Sequence, residues 1–395
     1  MTEPAPAAVP APSRSLMAQA TRQVLGRVSA WLGLSWIILI AVLAVLAPWI
    51  ASSHPLLVIS DRGWSSPLIQ NLTPVDVILT GGGLLTLVLL PLRMGTFRRR
   101  FQIVLALTAL IAVPALTLVD PPEMVVYARY RAMADDPNVV VVNTIIEYSP
   151  TDRLRDAEID TRGLAPSADH LMGTTVEGED LLSRMIHACR IALAIGFIAT
   201  GIAVIIGVIV GGLMGYYSGI VDLLGMRLVE VFSAIPTLFL LIACTAFIGR
   251  NLYIMMAIIG ATSWVGYALF IRAEFLKLRQ QDYVIAGRAC GLPIWSILFK
   301  HMLPNGVSPV LVNASFGVAS AILTESVLSF LGLGLVEEPS WGQMLDQARG
   351  EGGTFRWWLA VYPGMAIFLT VFAYNLVGEA IRDAIDPRMA TSQTA

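Results

Sequence analysis

The chain has 395 residues, of which 56% are hydrophobic and 14% are charged, and its formal net charge at pH 7 is -2. Soluble domains carry about 25% charged residues, so this composition excludes an ordinary water-soluble domain and indicates a membrane protein. The small net charge provides no bulk attraction to nucleic acid, and we expect no nucleic-acid partner.

Residues 1–30 are rich in proline and alanine. Such a segment cannot build a packed core, so we expect a disordered tail that precedes the first membrane helix. The apolar run that follows is longer than the core of a secretory signal and lacks a small-residue cleavage site after it, so no cleavable signal is expected. Residues 389–395 are predicted to form a second short tail.

Long apolar runs follow the N-terminal tail. In a membrane a helix satisfies its own backbone hydrogen bonds, so runs of about 20 apolar residues predict spanning helices. The pattern predicts an all-α integral membrane protein with about eight transmembrane helices. The predicted spans are 31–52, 75–92, 102–119, 187–216, 226–249, 251–272, 308–335 and 358–380.

Positive charges predict the orientation of these spans, because short cytoplasmic loops are enriched in lysine and arginine. Arginines precede the first span, and four more lie between the second and third spans: Arg93, Arg98, Arg99 and Arg100. With eight spans, both termini and residues 273–307 are then expected in the cytoplasm. The expected location is the bacterial inner membrane.

The orientation divides the chain into three parts: N-terminal helices at 31–119, an external segment at 120–186 and a C-terminal helical region at 187–388. The external part, which we call the outer segment, contains 13 acidic and six basic residues. It could be an elaborated loop packed on the outer face of the protein, or it could contact a protein that delivers a solute.

Residues 282–305, DYVIAGRACGLPIWSILFKHMLPN, lie on the expected cytoplasmic side. We call them the coupling segment. The first part favours a helix, Gly291 can adopt the left-handed conformation that ends a helix, and Pro293 suits the start of a second helix. Pro304 is expected to end that second helix. Five apolar side chains are expected to be exposed and to bind a soluble partner: Ile294, Trp295, Ile297, Leu298 and Phe299.

The coupling segment resembles a cytoplasmic loop of the permeases of binding-protein-dependent ATP-driven importers. In that family the loop starts with Glu-Ala-Ala, contains a glycine and ends in Leu-Pro. Here Ile285, Ala286 and Gly287 occupy the Glu-Ala-Ala places, so two of these three residues depart from the family pattern. The resemblance implies that the segment couples the membrane helices to an ATPase through Ala286, Gly287, Gly291, Ile294, Trp295, Leu303 and Pro304.

Residues 168–388 as a whole resemble the dipeptide and oligopeptide branch of this family. The segment HLMGTTVEGEDLLSR at 170–184 is similar to the family's entry into a span, although Thr175 and Glu179 replace an acidic and a basic residue. Further matches are SFLGLGLVEEPSWGQML from 329 and the run of 32 residues that starts at Trp357. Residues 49–74 look like the corresponding part of microcin-type peptide permeases.

The resemblance implies the type I ABC importer permease fold for the last six spans. It also implies four kinds of partner: a homologous permease subunit, two ATP-binding subunits, an external solute-binding protein and membrane lipid. Switching between inward-facing and outward-facing arrangements would then move a peptide or related small solute. Nickel complexes or antibiotic peptides remain alternative cargoes.

Individual residues in the predicted spans allow more than one interpretation. Gly207, Gly211 and Gly215 are spaced by four, which favours close helix packing, with a flexible gating point as the alternative. An ionisable group in hydrocarbon is costly, so Glu325 is expected either to line the transport pathway or to make an internal hydrogen bond.

The sequence contains neither HExxH nor GxSxG, and it has no Gly-Lys pair, so a phosphate-binding GxxxxGK[ST] loop is excluded. ATP hydrolysis is therefore expected on another chain, and no cofactor is predicted. The three cysteines lack CxxC spacing, so no metal site is predicted. The alternative from another class is a membrane-embedded enzyme that uses Glu325, Asp222 or His187.

Overall fold

The computed structural model describes residues 23–60, 63–92, 96–120, 127–134, 136–155, 160–335, 338–350 and 354–385. Most of the tail predicted at 1–30, the tail predicted at 389–395 and Arg93 lie outside these residues. The first helix begins at Val28, slightly before the predicted boundary at 31.

In the described part of the N-terminal third, the elements that position the site are five helices and three short strands. The helices are α1 (Val28–Ile50), α2 (Pro67–Gln70), α3 (Pro74–Leu89), α4 (Phe97–Leu118) and α5 (Ala128–Ala134). The strands are β1 (Leu57–Ser60), β2 (Gly63–Ser65) and β3 (Val140–Val142).

The described residues between β3 and Leu181 form turns, loops and isolated bridges, and from Leu181 onward the named elements are helices and two short π-helical turns. The first helices are α6 (Leu181–Tyr217), α7 (Gly219–Ala234), α8 (Thr237–Ile248), α9 (Leu252–Thr262), α10 (Val265–Leu278) and α11 (Asp282–Ala289). The later elements are α12 (Ile294–Ser296), a π turn (Ile297–Met302), α13 (Leu303–Gly306), α14 (Ser308–Leu328), a π turn (Ser329–Leu333), α15 (Trp341–Gln347) and α16 (Trp357–Ile385).

Candidate membrane spans account for most of the predicted helices. Among the described residues, five single helical segments are long and apolar enough to cross a membrane, and the bent pairs α7–α8 and α9–α10 raise the number to seven. The second predicted span, 75–92, corresponds to α3, which has 16 residues. At about 1.5 Å per residue, α3 is shorter than the roughly 30 Å of hydrocarbon, so a count of eight spans is not confirmed.

The span predicted at 226–249 is not one straight helix. Helices α7 and α8 meet at an angle of 81°. The break lies at Ile235 and Pro236, where Ile235 is extended. A residue before proline avoids the helical conformation, so this sequence forces the chain to turn. The second pair, α9 and α10, bends by 42°.

The long helix α6 is at the centre of the membrane region, where it packs against α1, α9, α10 and α14. Its glycines allow the closest approach. A Cβ atom on Gly211 would lie 2.2 Å from the carbonyl oxygen of Ala268 on α10, and one on Gly215 would lie 2.6 Å from Cβ of Phe275. Gly207 faces α10 in the same way. Close helix packing therefore explains these glycines.

A small sheet, formed by β1 and β2 after α1 and by β3 of the outer segment, adds to a fold that was predicted to be all-α. The strand order is β2-β1-β3, and both pairings are antiparallel. The sheet joins the chain just after α1 to the middle of the outer segment. A hydrogen bond reinforces this connection, because the hydroxyl of Ser53, just after α1, donates to the buried carboxylate of Asp152 at 2.6 Å.

The two ends of the bundle differ. At one end, Arg27 before α1 pairs with Asp383 near the end of α16, and the coupling segment lies beside the end of α6. At the other end, the outer segment contacts the start of α6 through the carbonyl of Pro150 and the end of α1 through backbone hydrogen bonds of Ile146. The structure thus separates the coupling segment from the outer segment by the length of α6.

Candidate coupling site and its link to the membrane core

The coupling segment forms the helix, turn and helix that its sequence predicts. Helix α11 ends at Ala289, and Gly291, two residues further on, adopts a φ of +71°. The backbone N–H of Leu292 donates to the carbonyl of Gly287 at 3.1 Å, and the N–H of Gly291 donates to that of Arg288 at 2.9 Å. This pair of bonds is the Schellman arrangement, which satisfies carbonyls that the end of a helix leaves free.

The prediction that Pro304 ends the second helix is wrong. Helical structure continues through a π turn at Ile297–Met302 and through α13 to Gly306. A proline lacks the N–H that the preceding helical turn would need, and its ring crowds the carbonyl one turn earlier. The wider π turn accommodates that missing bond, so the chain passes Pro304 without a break.

The expected apolar docking surface is only partly exposed. Ile297 and Leu298 are 2% and 4% exposed, because they pack with Val284 and Met302 against Phe275 on α10. These two residues hold the coupling segment on the membrane core and do not contribute to a free surface. Ile294 is half-buried.

The exposed apolar surface is built around Trp295 and Phe299, which are 60% and 41% exposed. Their rings stack with centroids 5.4 Å apart and an interplanar angle of 13°. Ile285 and Leu292 of the same segment are also exposed, at 52% and 38%. Of the other residues in the predicted motif, Ala286, Gly291 and Pro304 are exposed, whereas Gly287 and Leu303 are half-buried.

A second contact, which the sequence did not indicate, joins the coupling segment to α6. The guanidinium of Arg288 lies over the ring of Tyr216, 4.5 Å from its centroid, as in a cation–π interaction. Arg279, at the end of α10, donates to the Tyr216 carbonyl at 3.4 Å. The coupling segment therefore contacts α6 and α10 together.

Glu325 on α14 lies inside the chain and is 3% exposed. The hydroxyl of Ser329 donates to its carboxylate at 2.6 Å, and that of Ser326 lies at 3.4 Å. The hydroxyl of Ser340 donates to Ser329 at 3.3 Å. Of the two interpretations of Glu325, the geometry supports the internal hydrogen bond, which fastens the chain before α15 to the end of α14.

The alternative of a membrane-embedded enzyme is not supported by these positions. Asp222 receives two hydrogen bonds from Arg272, at 2.5 and 2.7 Å, and His187 contacts the carbonyl of Ala51 at 3.0 Å. Glu325 is held by serines. Each of the three residues that such an enzyme would use is thus engaged in a separate contact.

The start of α6 carries a buried cluster of polar groups at the outer end. Arg184 pairs with Glu179 and donates to the carbonyl of Pro150 at 3.0 Å and to Oε1 of Gln343 at 2.9 Å. The hydroxyl of Thr175 donates to Glu179 at 3.2 Å. Burial raises the pKa of Glu179, although Arg184 opposes that shift. The two departures from the family pattern, Thr175 and Glu179, therefore interact with each other.

Comparison with known proteins identifies the family. Residues 192–391 match the model of the binding-protein-dependent transport system inner membrane component. The chain belongs to this family. Its match covers the chain from within α6 to α16, including the coupling segment, so the family resemblance is confirmed over residues 192–388.

Relatives of this permease include named transport proteins. It is 35% identical over 254 residues to the oligopeptide transport system permease protein OppC of Haemophilus influenzae, covering 63% of this chain and 81% of the relative. It is 36% identical to the dipeptide transport system permease protein DppC of Bacillus subtilis, and that match covers 58% of this chain and 72% of the relative. It is also 36% identical to the glutathione permease GsiD of Pectobacterium atrosepticum, covering 61% and 80%.

Among solved structures, an inward-facing crystal form of the MetNI methionine ABC transporter matches with a TM-score of 0.40 and 22% identity. The match covers 52% of this permease and 98% of the solved chain.

Proposed function

We propose that this permease is the transmembrane subunit of an ATP-driven importer that moves peptides or related small solutes across the bacterial inner membrane. The observation that carries the proposal is the coupling segment, with its exposed Trp295 and Phe299 on one side and its buried Ile297 and Leu298 on the other. One surface is available to a partner, and the other is fixed to the membrane helices.

The peptide cargo rests on the relatives, whose names specify oligopeptides, dipeptides and glutathione. The proposed partners are a homologous permease, two ATP-binding subunits and an external solute-binding protein. In this proposal, closure of the ATP-binding subunits moves Trp295 and Phe299, and Ile297 and Leu298 transmit the movement to α10. In this proposal the small side chain of Ala286 lets the partner approach closely, and the turn at Gly291 sets the direction of the second helix.

The proposed orientation places both termini and the coupling segment in the cytoplasm and the outer segment outside. Lys277, Arg279, Arg288 and Lys300 lie in or next to the coupling segment, which suits a cytoplasmic position. The outer segment then meets the solute-binding protein.

The decisive experiment compares Trp295→Ala with Ile297→Ala in the complex of all subunits. We expect Trp295→Ala to leave the thermal stability of the permease unchanged, to reduce co-purification of the ATP-binding subunits, and to lower uptake of a labelled dipeptide. Ile297→Ala removes a buried side chain, so it should cost about 2–5 kcal/mol of stability. Unchanged co-purification and uptake for Trp295→Ala would contradict the coupling role.

Gly291→Val tests the turn itself. No atom lies within 4 Å of the position that a Cβ on Gly291 would take, so the penalty comes from φ alone. We expect Gly291→Val to reduce ATPase binding and uptake, and Gly291→Asn to be tolerated, because asparagine adopts the left-handed conformation more readily.

Ile285→Glu restores the family residue at an exposed site and should be tolerated.

A further inference from the structure

A cavity of about 120 Å³ lies between α6, α9, α10 and α14, beside the 42° break between α9 and α10. Hydroxyl-bearing side chains line it from several helices: Thr200, Ser263, Tyr267 and Ser320. Gly317 keeps the space open, since a Cβ there would lie 1.9 Å from Oη of Tyr267. Hydroxyl groups are thus grouped inside the bundle beside the break between α9 and α10.

Thr200 is the informative residue in this cavity. Its side chain is 6% exposed, and its hydroxyl has no hydrogen-bond partner among the protein atoms that the structure describes. Buried hydroxyls are nearly always hydrogen-bonded, because the cost of removing them from water is otherwise not offset. A threonine in a helix can bond to its own preceding turn, as Thr245 on α8 does with the carbonyl of Leu241 at 2.9 Å. Thr200 does not.

The break between α9 and α10 adds further polar groups. The first N–H groups of a helix have no partner within that helix, and α10 begins at Val265 with no side-chain cap on Trp264. Ser263 and Tyr267, on either side of the start of α10, both line the cavity. The hydroxyls of Thr200, Ser263 and Ser320 line the cavity as donors and acceptors for a small polar ligand. The hydroxyl of Tyr267 donates to the carbonyl of Asn313 at 3.5 Å and retains its acceptor capacity.

We infer that this cavity binds a small cluster of ordered water molecules, and that the cluster makes the α9–α10 break a hinge. A water molecule needs about 10–15 Å³ of such space and two to four polar partners, so the cavity holds several. Water can exchange hydrogen-bond partners as the bend angle changes, which a direct bond between two protein groups cannot do. The hinge rests on the proposed transport function, whereas the water site does not.

The sign of a stability change tests the water site. In a hydrated cavity, Thr200→Val removes a hydrogen bond to water and should lower the melting temperature of the purified permease by a few degrees, while Thr200→Ser should restore it. In a dry cavity, Thr200→Val would relieve an unpaired hydroxyl and raise the melting temperature. Thr245→Val provides the baseline, because its hydroxyl already bonds to its own helix.

High-resolution electron microscopy of the assembled complex gives a direct test. We expect separate density peaks about 2.7–3.2 Å from the Thr200 hydroxyl oxygen and its neighbours. Contacts of about 2.3–2.6 Å to several oxygens would indicate a metal cation and overturn the assignment to water. An empty cavity in a map that resolves other buried water molecules would overturn the assignment as well.

The hinge is tested with Gly317→Ala, which fills the cavity beside Tyr267, against Gly201→Ala, which meets nothing within 4 Å. We expect Gly317→Ala to lose most uptake of the labelled dipeptide while the ATP-binding subunits still co-purify. Normal uptake would contradict the hinge. A wild-type complex that takes up no peptide would contradict the proposed function, and the melting temperatures and density would still decide the water site.

Discussion

Arg190 on α6 donates a hydrogen bond from Nη1 to Oδ1 of Asp76, which lies in the first turn of α3 and 114 residues earlier in the chain. The same guanidinium donates from Nε to the carbonyl of Ala44 on α1 at 2.5 Å. Asp76 also accepts hydrogen bonds from the N–H and the hydroxyl of Thr73, the residue that caps the start of α3. One arginine therefore joins α1, α3 and α6, and it attaches the additional N-terminal helices to the membrane core.

Asp76→Asn should destabilise the permease by about 3 kcal/mol or more, because it leaves the charge of Arg190 buried without its partner while keeping an oxygen that can cap α3. Chemical denaturation in detergent measures the change. The control is Asp160→Asn, which removes an exposed pair with Arg162 at 3.9 Å and should cost less than about 1 kcal/mol. Similar losses for both variants would show that the buried pair has no special role.

Alanine substitutions at two glycines of α6 should change the stability of the permease in opposite directions. Gly211→Ala places a Cβ 2.2 Å from the Ala268 carbonyl, so α6 and α10 must separate, at a cost of about 1–3 kcal/mol. Gly201→Ala, on the same helix, meets no neighbour and should stabilise by up to about 1 kcal/mol, the difference in helix propensity. Thermal melting of the two variants measures both. A stabilising Gly211→Ala would contradict the close packing of α6 on α10.

A native cysteine reports the orientation. Cys290 is exposed in the coupling segment, whereas Cys189 is buried. We expect an impermeant thiol reagent to leave Cys290 unlabelled in intact cells and to label it in inverted membrane vesicles. Asp160→Cys, combined with Cys290→Ser, should show the reverse pattern, because residue 160 lies in the outer segment. The opposite result for both sites would invert the proposed topology.

Acid should loosen the outer segment through His54. Its ring is buried between Tyr127 and Tyr130, with centroids 5.5 and 5.4 Å away, and burial lowers the pKa of His54 although Asp152 opposes that shift. The unfolded segment therefore binds a proton more readily than the folded one. Stability that is present above the unfolded pKa of about 6.5 is lost as the pH falls below it.

Hydrogen exchange of the amides in residues 127–134 and 136–155 measures this effect. We expect faster exchange at pH 5.5 than at pH 7.5, after correction for the intrinsic rates, and a smaller difference in His54→Asn. Glu179 acts in the opposite direction, because its raised pKa favours the folded state at low pH. An unchanged pH effect in His54→Asn would assign it to a group other than His54.

The long helices could be predicted from sequence because their signal is local: a run of apolar residues predicts a span wherever its neighbours lie. The turn at Gly291 is local in the same sense, since glycine followed by Leu-Pro suits the end of one helix and the start of the next. The bend at Pro236 was available in the sequence too, but the apolar run around it obscured the break.

The remaining features depend on contacts between distant parts of the chain. Nothing near Arg190 in the sequence indicates Asp76, and nothing near Arg288 indicates Tyr216. Ile297 and Leu298 are as apolar as Trp295 and Phe299, so the sequence alone could not separate the anchored residues from the exposed ones. Their burial depends on how the π turn directs each side chain against Phe275.

The π turn at Ile297–Met302 has a mechanical consequence. Because the helix continues past Pro304 to Gly306, residues 294–306 form one rod, on the order of 20 Å long at about 1.5 Å per residue. Trp295 lies near its start, next to the turn from α11, and Val307 connects the other end directly to α14. In the proposed coupling role, a displacement applied at Trp295 would reach α14 as a rotation about the residues buried against Phe275. The hydrophobic contact with Phe275 would then be the pivot of that movement.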